Sequence, residues 1–152
     1  MTGSLSRVRR FTIAKVFIDT NVLIYAEDQA SSKRDVARGL LREVSRKGSG
    51  VISTQVLQEF YNNVTRKLGA TPAQAVDLMK DLRRFEVVVL TPDLIEEAAK
   101  IHAMRQTPFW DSLIVSAAAF AKCKTLYSED FNPGQNLSGV KVVNPFAAKV
   151  DV

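Results

Sequence analysis

Short apolar runs rich in β-formers alternate along this chain with longer stretches of helical period, and that alternation constrains the fold more than any other feature. Val16-Phe17-Ile18, Val51-Ile52, Val87-Val88-Val89-Leu90, Thr125-Leu126-Tyr127 and Val140 to Val143 read as strands. Between them, a helical stretch starts at Val22, and Lys33 to Arg46 sets Val36, Leu40 and Val44 four residues apart on one helix face before Gly48-Ser49-Gly50 stops it. Gln55 to Leu68 buries Val56, Phe60 and Val64, with Thr54 as the expected N-cap and Gly69 beyond its end. Thr71-Pro72-Ala73-Gln74 is an N-cap, a proline at the first helical position and a capping-box glutamine, opening a helix with Ala75, Leu78, Met79 and Leu82 on one side. Thr91-Pro92 opens another, with Leu94, Ala98 and Ile101 inside, and a last helix covers roughly Trp110 to Lys122. Four consecutive apolar residues at 87–90 suggest a strand covered on both faces. Strands alternating with helices imply an α/β domain with a central parallel sheet flanked by helices, whose site lies at the C-terminal ends of the strands.

The chain's 152 residues, 46% of them hydrophobic, suffice for one domain with a core. There is no internal repeat. Residues 1–14 read as a flexible basic arm, 15–146 as the domain and 147–152 as a tail. The net charge of +5 suggests an anionic partner, yet three of those charges sit on Arg7, Arg9 and Arg10 in the arm, which holds no acid. The rest of the chain is nearly neutral, so charge alone does not announce a nucleic-acid surface. A single cysteine, Cys123, excludes an internal disulfide framework and fits a reducing, cytoplasmic setting. No apolar run approaches the ~20 residues of a membrane span, and the first eleven residues do not read as a secretory signal.

The informative residues are acids. Asp19 directly follows the first strand, where a carboxylate points into the crevice of an α/β sheet or caps the next helix. Glu59 lies at the edge of the apolar stripe Val56, Phe60 and Val64. Asp111 stands in the first turn of the last helix, a position the helix dipole also favours. Asp130 follows Tyr127-Ser128-Glu129, after a strand and before the turn Asn132-Pro133-Gly134. Clustered carboxylates repel unless protonated or neutralised, and hard cations such as Mg2+ and Mn2+ prefer oxygen ligands. With one His and one Cys, a zinc site of the usual kind is nearly excluded. Carboxylate-bound metals serve phosphoryl chemistry.

Phe17-Ile18-Asp19-Thr20-Asn21-Val22-Leu23-Ile24-Tyr25 resembles the opening motif of PIN-domain nucleases. Phe109-Trp110-Asp111-Ser112-Leu113-Ile114 resembles a later motif, and Leu126-Tyr127-Ser128-Glu129-Asp130-Phe131 the last acidic one. Gln58-Glu59-Phe60 falls where the family carries its second acid. The resemblance covers about residues 15–146, and size and layout are similar to the VapC-like toxins of toxin–antitoxin pairs. It implies a three-layer α/β/α PIN-like fold and a Mg2+- or Mn2+-dependent endoribonuclease. It also implies an antitoxin partner and a homodimer. Carried over by position, it makes Asp19, Glu59, Asp111 and Asp130 the catalytic, metal-binding acids. Asn21 would orient Asp19 through its amide, and Ser128 would bring a hydroxyl near the metal or the phosphate. Glu129 competes with Asp130 for the last place.

Two other classes fit parts of the pattern. Haloacid-dehalogenase-like phosphatases also place an aspartate after a first strand, but want a second two positions on, where this chain has Asn21. A non-catalytic RNA-binding domain of the same fold would not need four acids. Among lesser residues, His102 sits in an ordinary helix pattern and is read as structural. Trp110 has apolar neighbours that suggest core packing over stacking on a base, Cys123 is a small buried residue, and Arg83-Arg84 either meets phosphates or terminates a helix.

Overall fold

The computed structural model describes residues 13–132 and 134–147. Arg7, Arg9 and Arg10 of the basic arm, Pro133 of the expected turn and nearly all of the 147–152 tail lie outside them.

The described chain runs β1 (Val16–Ile18), α1 (Thr20–Glu27), α2 (Arg34–Lys47), β2 (Gly50–Ser53), α3 (Thr54–Arg66), α4 (Pro72–Asp81), a 3-10 turn (Leu82–Arg84), β3 (Glu86–Val88), α5 (Pro92–Arg105), α6 (Phe109–Phe120), β4 (Thr125–Tyr127), β5 (Asn136–Leu137) and β6 (Val140–Val143). The strands form one sheet in the order β3-β2-β1-β4-β6-β5. All pairings are parallel except the short β5–β6 ribbon at one edge, which the sequence pattern did not announce. The α/β expectation holds. β1, in the middle of the order, is paired on both sides, Phe17 opposite Val51 and Leu126. Helices flank the sheet: α1 packs on α2 and α3, α5 on α6, and β2 is touched by α2, α3 and α6. Every residue of β2 is accordingly buried.

Local chemistry sets the helix ends. Thr71 and Gln74 form the expected reciprocal capping box. Gly48 closes α2 in the left-handed region at φ 64°, which costs a Cβ-bearing residue more than glycine. Gly50 answers a different need. A Cβ there would stand 2.5 Å from the Phe85 ring and 2.8 Å from Val44, so only glycine lets both pack onto β2.

Four sequence expectations change. In α2 the buried stripe is Ala37, Leu41 and Val44, while Val36 is 49% exposed. Successive four-residue steps drift about 40° each around a helix, so an i, i+4, i+7 set keeps to one face better than i, i+4, i+8. The Val87–Leu90 run is not a doubly covered strand. β3 pairs only with β2, forms one edge of the sheet, and leaves Val89 64% exposed. The N-cap of α3 is Ser53, whose Oγ accepts from the Val56 N–H, and Thr54 Oγ1 accepts instead from Leu90 N–H. Trp110 is not in the core but 67% exposed. No described helix is long and apolar enough to cross a membrane.

Candidate active site

Asp19 leaves the sheet at its centre. Its N–H donates to the Tyr127 carbonyl, continuing the β1–β4 ladder by one rung, and its side chain then caps α1. Oδ1 accepts from Thr20 N–H at 2.8 Å, and Oδ2 accepts from the Ser128 hydroxyl at 2.7 Å. Only 6% of the residue is exposed. Burial pushes the carboxyl up to about 7, with the charges of Glu59 and Asp130 adding to it, against the hydrogen bonds of Ser128 and Thr20.

Ser128, fully buried after β4, organises this corner. Its Oγ donates to Asp19 and accepts from Asn21 Nδ2 at 3.2 Å and from Asp130 N–H at 3.1 Å. Asn21 Nδ2 also donates to Asp130 Oδ2 at 3.0 Å. The expected contact of Asn21 with Asp19 is therefore replaced. Asn21 holds Asp130, and Ser128 holds Asp19. Two residues on from Asp19, the side chain at 21 is turned about 200° around α1 and meets the loop after β4 at Ser128 and Asp130. The Asn21 Oδ1 is buried with no hydrogen-bond partner among the described residues.

Glu59 comes from α3. Its Oε2 accepts from Thr20 Oγ1 at 2.7 Å and its Oε1 from Gln55 Nε2 at 2.9 Å. Gln55 Nε2 reaches the Trp110 carbonyl as well, at 3.1 Å, tying α3 to the first turn of α6. Asp111 follows Trp110 in that turn. Burial raises its carboxyl above the ordinary range, and the charges of Asp130 and Glu59 raise it further. Asp19 and Asp111 thus both feel Glu59 and Asp130, although the four come from positions 19 to 130.

Glu129 has other partners. It accepts from the Tyr25 hydroxyl and pairs with Lys33 Nζ at 2.7 Å. Burial pushes its carboxyl up, but Lys33 and Tyr25 together hold it below the ordinary value. Lys33 sits 4.7 Å from the Tyr25 ring centroid and 5.5 Å from that of Phe146.

A cleft of about 430 Å3 opens over this corner, lined by Asp19, Asn21, Glu59, Lys67, Glu129 and Asp130 among others. Asp111 is not among its lining residues. A smaller cavity of about 130 Å3 near the N-terminal ends of the strands, beside Lys15, Gly50 and Glu86, holds none of the four acids. Among the described residues, no three acid, His or Cys side chains converge closely enough to hold a metal ion by themselves. The donor set nonetheless suits a hard cation. Mg2+ keeps several waters and is bound by one or two carboxylates plus substrate phosphates, so a closed protein cage is not required.

The sequence reading missed Thr20 and Gln55, which fix Glu59, and Tyr25 and Lys33, which engage Glu129. Gln55 had a signal: it is a polar residue one turn before Glu59, beside the buried Val56. Of the lesser residues, His102 Nδ1 donates to the Thr107 carbonyl at 2.6 Å, Cys123 is buried with its thiol pushed up to about 12 by burial, and Arg84 bonds Ser45 and the Asp81 carbonyl at a helix end.

A family model for the PIN domain matches residues 16–133. The chain belongs to the PIN domain family. Among solved structures, this PIN domain is similar to a toxin–antitoxin complex from Klebsiella pneumoniae, with 19% identity and a TM-score of 0.69 over 88% of this chain and 100% of that one. It is also similar to Mycobacterium tuberculosis VapC20, described as a sarcin-ricin loop cleaving toxin, with 20% identity and a TM-score of 0.64 over 78% of this chain and 90% of that one. A third is FitAcB from Neisseria gonorrhoeae, with 15% identity and a TM-score of 0.63 over 88% and 99%. At these identities the likeness shows the shared fold. No curated protein matches the chain significantly.

Proposed function

We infer that this PIN domain is a Mg2+- or Mn2+-dependent endoribonuclease, the toxin of a toxin–antitoxin pair, with Asp19, Glu59, Asp111 and Asp130 as its metal-binding and catalytic acids. One observation carries the site: Asp19, Glu59 and Asp130 line one cleft, each held by a neighbouring side chain, Ser128, Thr20 and Asn21 respectively. Acids gathered in this way without a neutralising cation are under electrostatic strain that a divalent ion relieves. The similar solved structures, a toxin–antitoxin complex and a sarcin-ricin loop cleaving toxin, favour the same class.

A bound divalent ion supplies a Lewis acid that offsets charge on a phosphodiester and acidifies water. The chain's own residues do the rest. Ser128 orients Asp19, Asn21 orients Asp130, and Thr20 and Gln55 orient Glu59, so that these three carboxylates are held before substrate arrives. Lys67 lines the cleft and would meet a backbone phosphate there. A phosphatase with a covalent aspartyl intermediate is disfavoured. The position that would need a second aspartate is Asn21, whose amide is committed to Ser128 and Asp130.

The test is cleavage of total RNA with mapped 5′ ends, with Mg2+ or Mn2+ and with excess chelator. Metal-restored cutting at defined sites, lost in Asp130→Asn, is expected. Full cutting in chelator would overturn the metal role, and no cutting of any RNA would favour a non-catalytic RNA-binding domain.

A further inference from the structure

The only tryptophan of the chain stands out at the start of α6. Trp110 is 67% exposed, yet it is not a loose surface residue. Its ring meets Phe109 edge-on at 5.4 Å between centroids and 65° between planes, and Phe109 in turn meets His102 at 6.5 Å and 87°. The ring of His102 is itself fixed by its bond to the Thr107 carbonyl. From the main-chain side, the Trp110 carbonyl is held by Gln55, the residue that also holds Glu59. The next residue is Asp111. A large flat ring is thus presented to solvent, braced by Phe109, which His102 backs in turn, within one residue of an acid of the candidate site and one hydrogen-bonded side chain of another.

Leaving an indole in water forfeits the burial that usually places tryptophan inside, and an exposed aromatic beside a polar site points to a ligand with a π-face. Resting on the ribonuclease reading above, we propose that Trp110 is the stacking platform for an unpaired base next to the scissile phosphate, and that it restricts the substrate to RNA that is single-stranded at that position. A base within a duplex is stacked on both sides and offers no free face. A base splayed from a loop or a single strand does. A protein partner would also cover an exposed aromatic. The base is favoured because the turn that carries the ring is anchored at the candidate site: Gln55 holds both the Trp110 carbonyl and Glu59, and Asp111 is the next residue.

Because Trp110 is the sole tryptophan, its emission reports the contact directly. Wild-type protein in chelator is titrated with fluorescently end-labelled oligoadenylate and with a perfectly paired RNA duplex of equal phosphate number, following label anisotropy and indole fluorescence together. Quenching that saturates with the binding of the single strand, and is absent with the duplex, is expected. Base–aromatic stacking predicts that Trp110→Ala weakens oligoadenylate binding by roughly 5- to 150-fold and that Trp110→Phe recovers most of it. In cleavage assays the alanine variant should raise KM with kcat and the Mg2+-induced rise in melting temperature unchanged. Binding of oligoadenylate without quenching, or equal affinity of wild type and Trp110→Ala, overturns the stacking role while the ribonuclease reading stands. No RNA binding and no cleavage at all would remove that reading first. Trp110→Ala that keeps RNA affinity but loses a protein partner would assign the ring to that partner and overturn the proposal.

Discussion

Replacing Asp19 by asparagine should separate stability from activity. The carboxyl is almost fully buried and is raised from 3.8 to about 7, burial being the largest cause. Because its folded value lies above its unfolded one, the fold prefers the protonated form. The stability this group contributes is greatest below about pH 4 and is lost as the pH rises toward 7. At 1.36 kcal/mol per pH unit, holding the ionised carboxylate in the metal-free fold costs about 4 kcal/mol at pH 7. Asparagine removes that cost but brings one of its own. Its Oδ1 still accepts from Thr20 N–H, while its amide N–H must face Ser128 Oγ, which already accepts from Asn21 and Asp130. Losing that charged hydrogen bond costs about 1.5–3 kcal/mol. The net gain at pH 7 is about 1–2.5 kcal/mol, a rise in melting temperature of roughly 2–10 °C for a chain of this size. The assay is thermal unfolding of both proteins in chelator from pH 5 to 8. The difference between them should widen in favour of Asp19→Asn as pH rises, and the variant should neither cleave RNA nor be stabilised by Mg2+. A variant less stable than wild type by a constant amount across that range would refute the electrostatic account and leave Asp19 as a helix cap.

Glu129 and Asp130 should behave differently. Glu129→Gln should keep most cleavage and lose about 1 kcal/mol of stability or less, since the Lys33 pair is partly solvent-exposed. Because Glu129 is held below its ordinary value, that loss should fade as the pH falls into the acid range, which melting curves at pH 4 and 7 will show. Deleting residues 1–14 should weaken RNA binding modestly and flatten its dependence on salt, because each of Arg7, Arg9 and Arg10 would add a phosphate contact, and an unchanged slope would exclude the arm from RNA. If an antitoxin blocks the acids with an arginine, a guanidinium suited to paired bonds with a carboxylate, its affinity should fall as Mg2+ rises and in Asp130→Asn. Calorimetry that finds affinity indifferent to both would place the inhibitor elsewhere.

Much of this molecule follows from local rules, and the departures share a cause. Capping at Thr71, the stop at Gly48 and the inward faces of α3 and α5 depend on neighbours within one or two turns, and period and residue type predict them. Val89 and Trp110 resemble core residues because their neighbours are apolar, but exposure is set by what lies across the fold. β3 has a partner on one side only, and α6 is apolar nearly all round, so its pattern carries no direction and its first turn is free to face solvent. The same limit decides the acids. Sequence position brings Asp19 to the end of β1 and Asp111 to the start of α6. Glu129 and Asp130 stand side by side with equal chemistry, and nothing local ranks them. Tyr25, 104 positions away, and Lys33, 96 away, draw Glu129 toward a cation and a phenol, while Asn21 draws Asp130 toward Ser128 and Asp19. On the proposed assignment of Asp130, the choice between two adjacent carboxylates would be made by side chains of α1 and of the residue just before α2. Substitutions at Tyr25 or Lys33 should release Glu129 to compete for the site that Asp130 now faces.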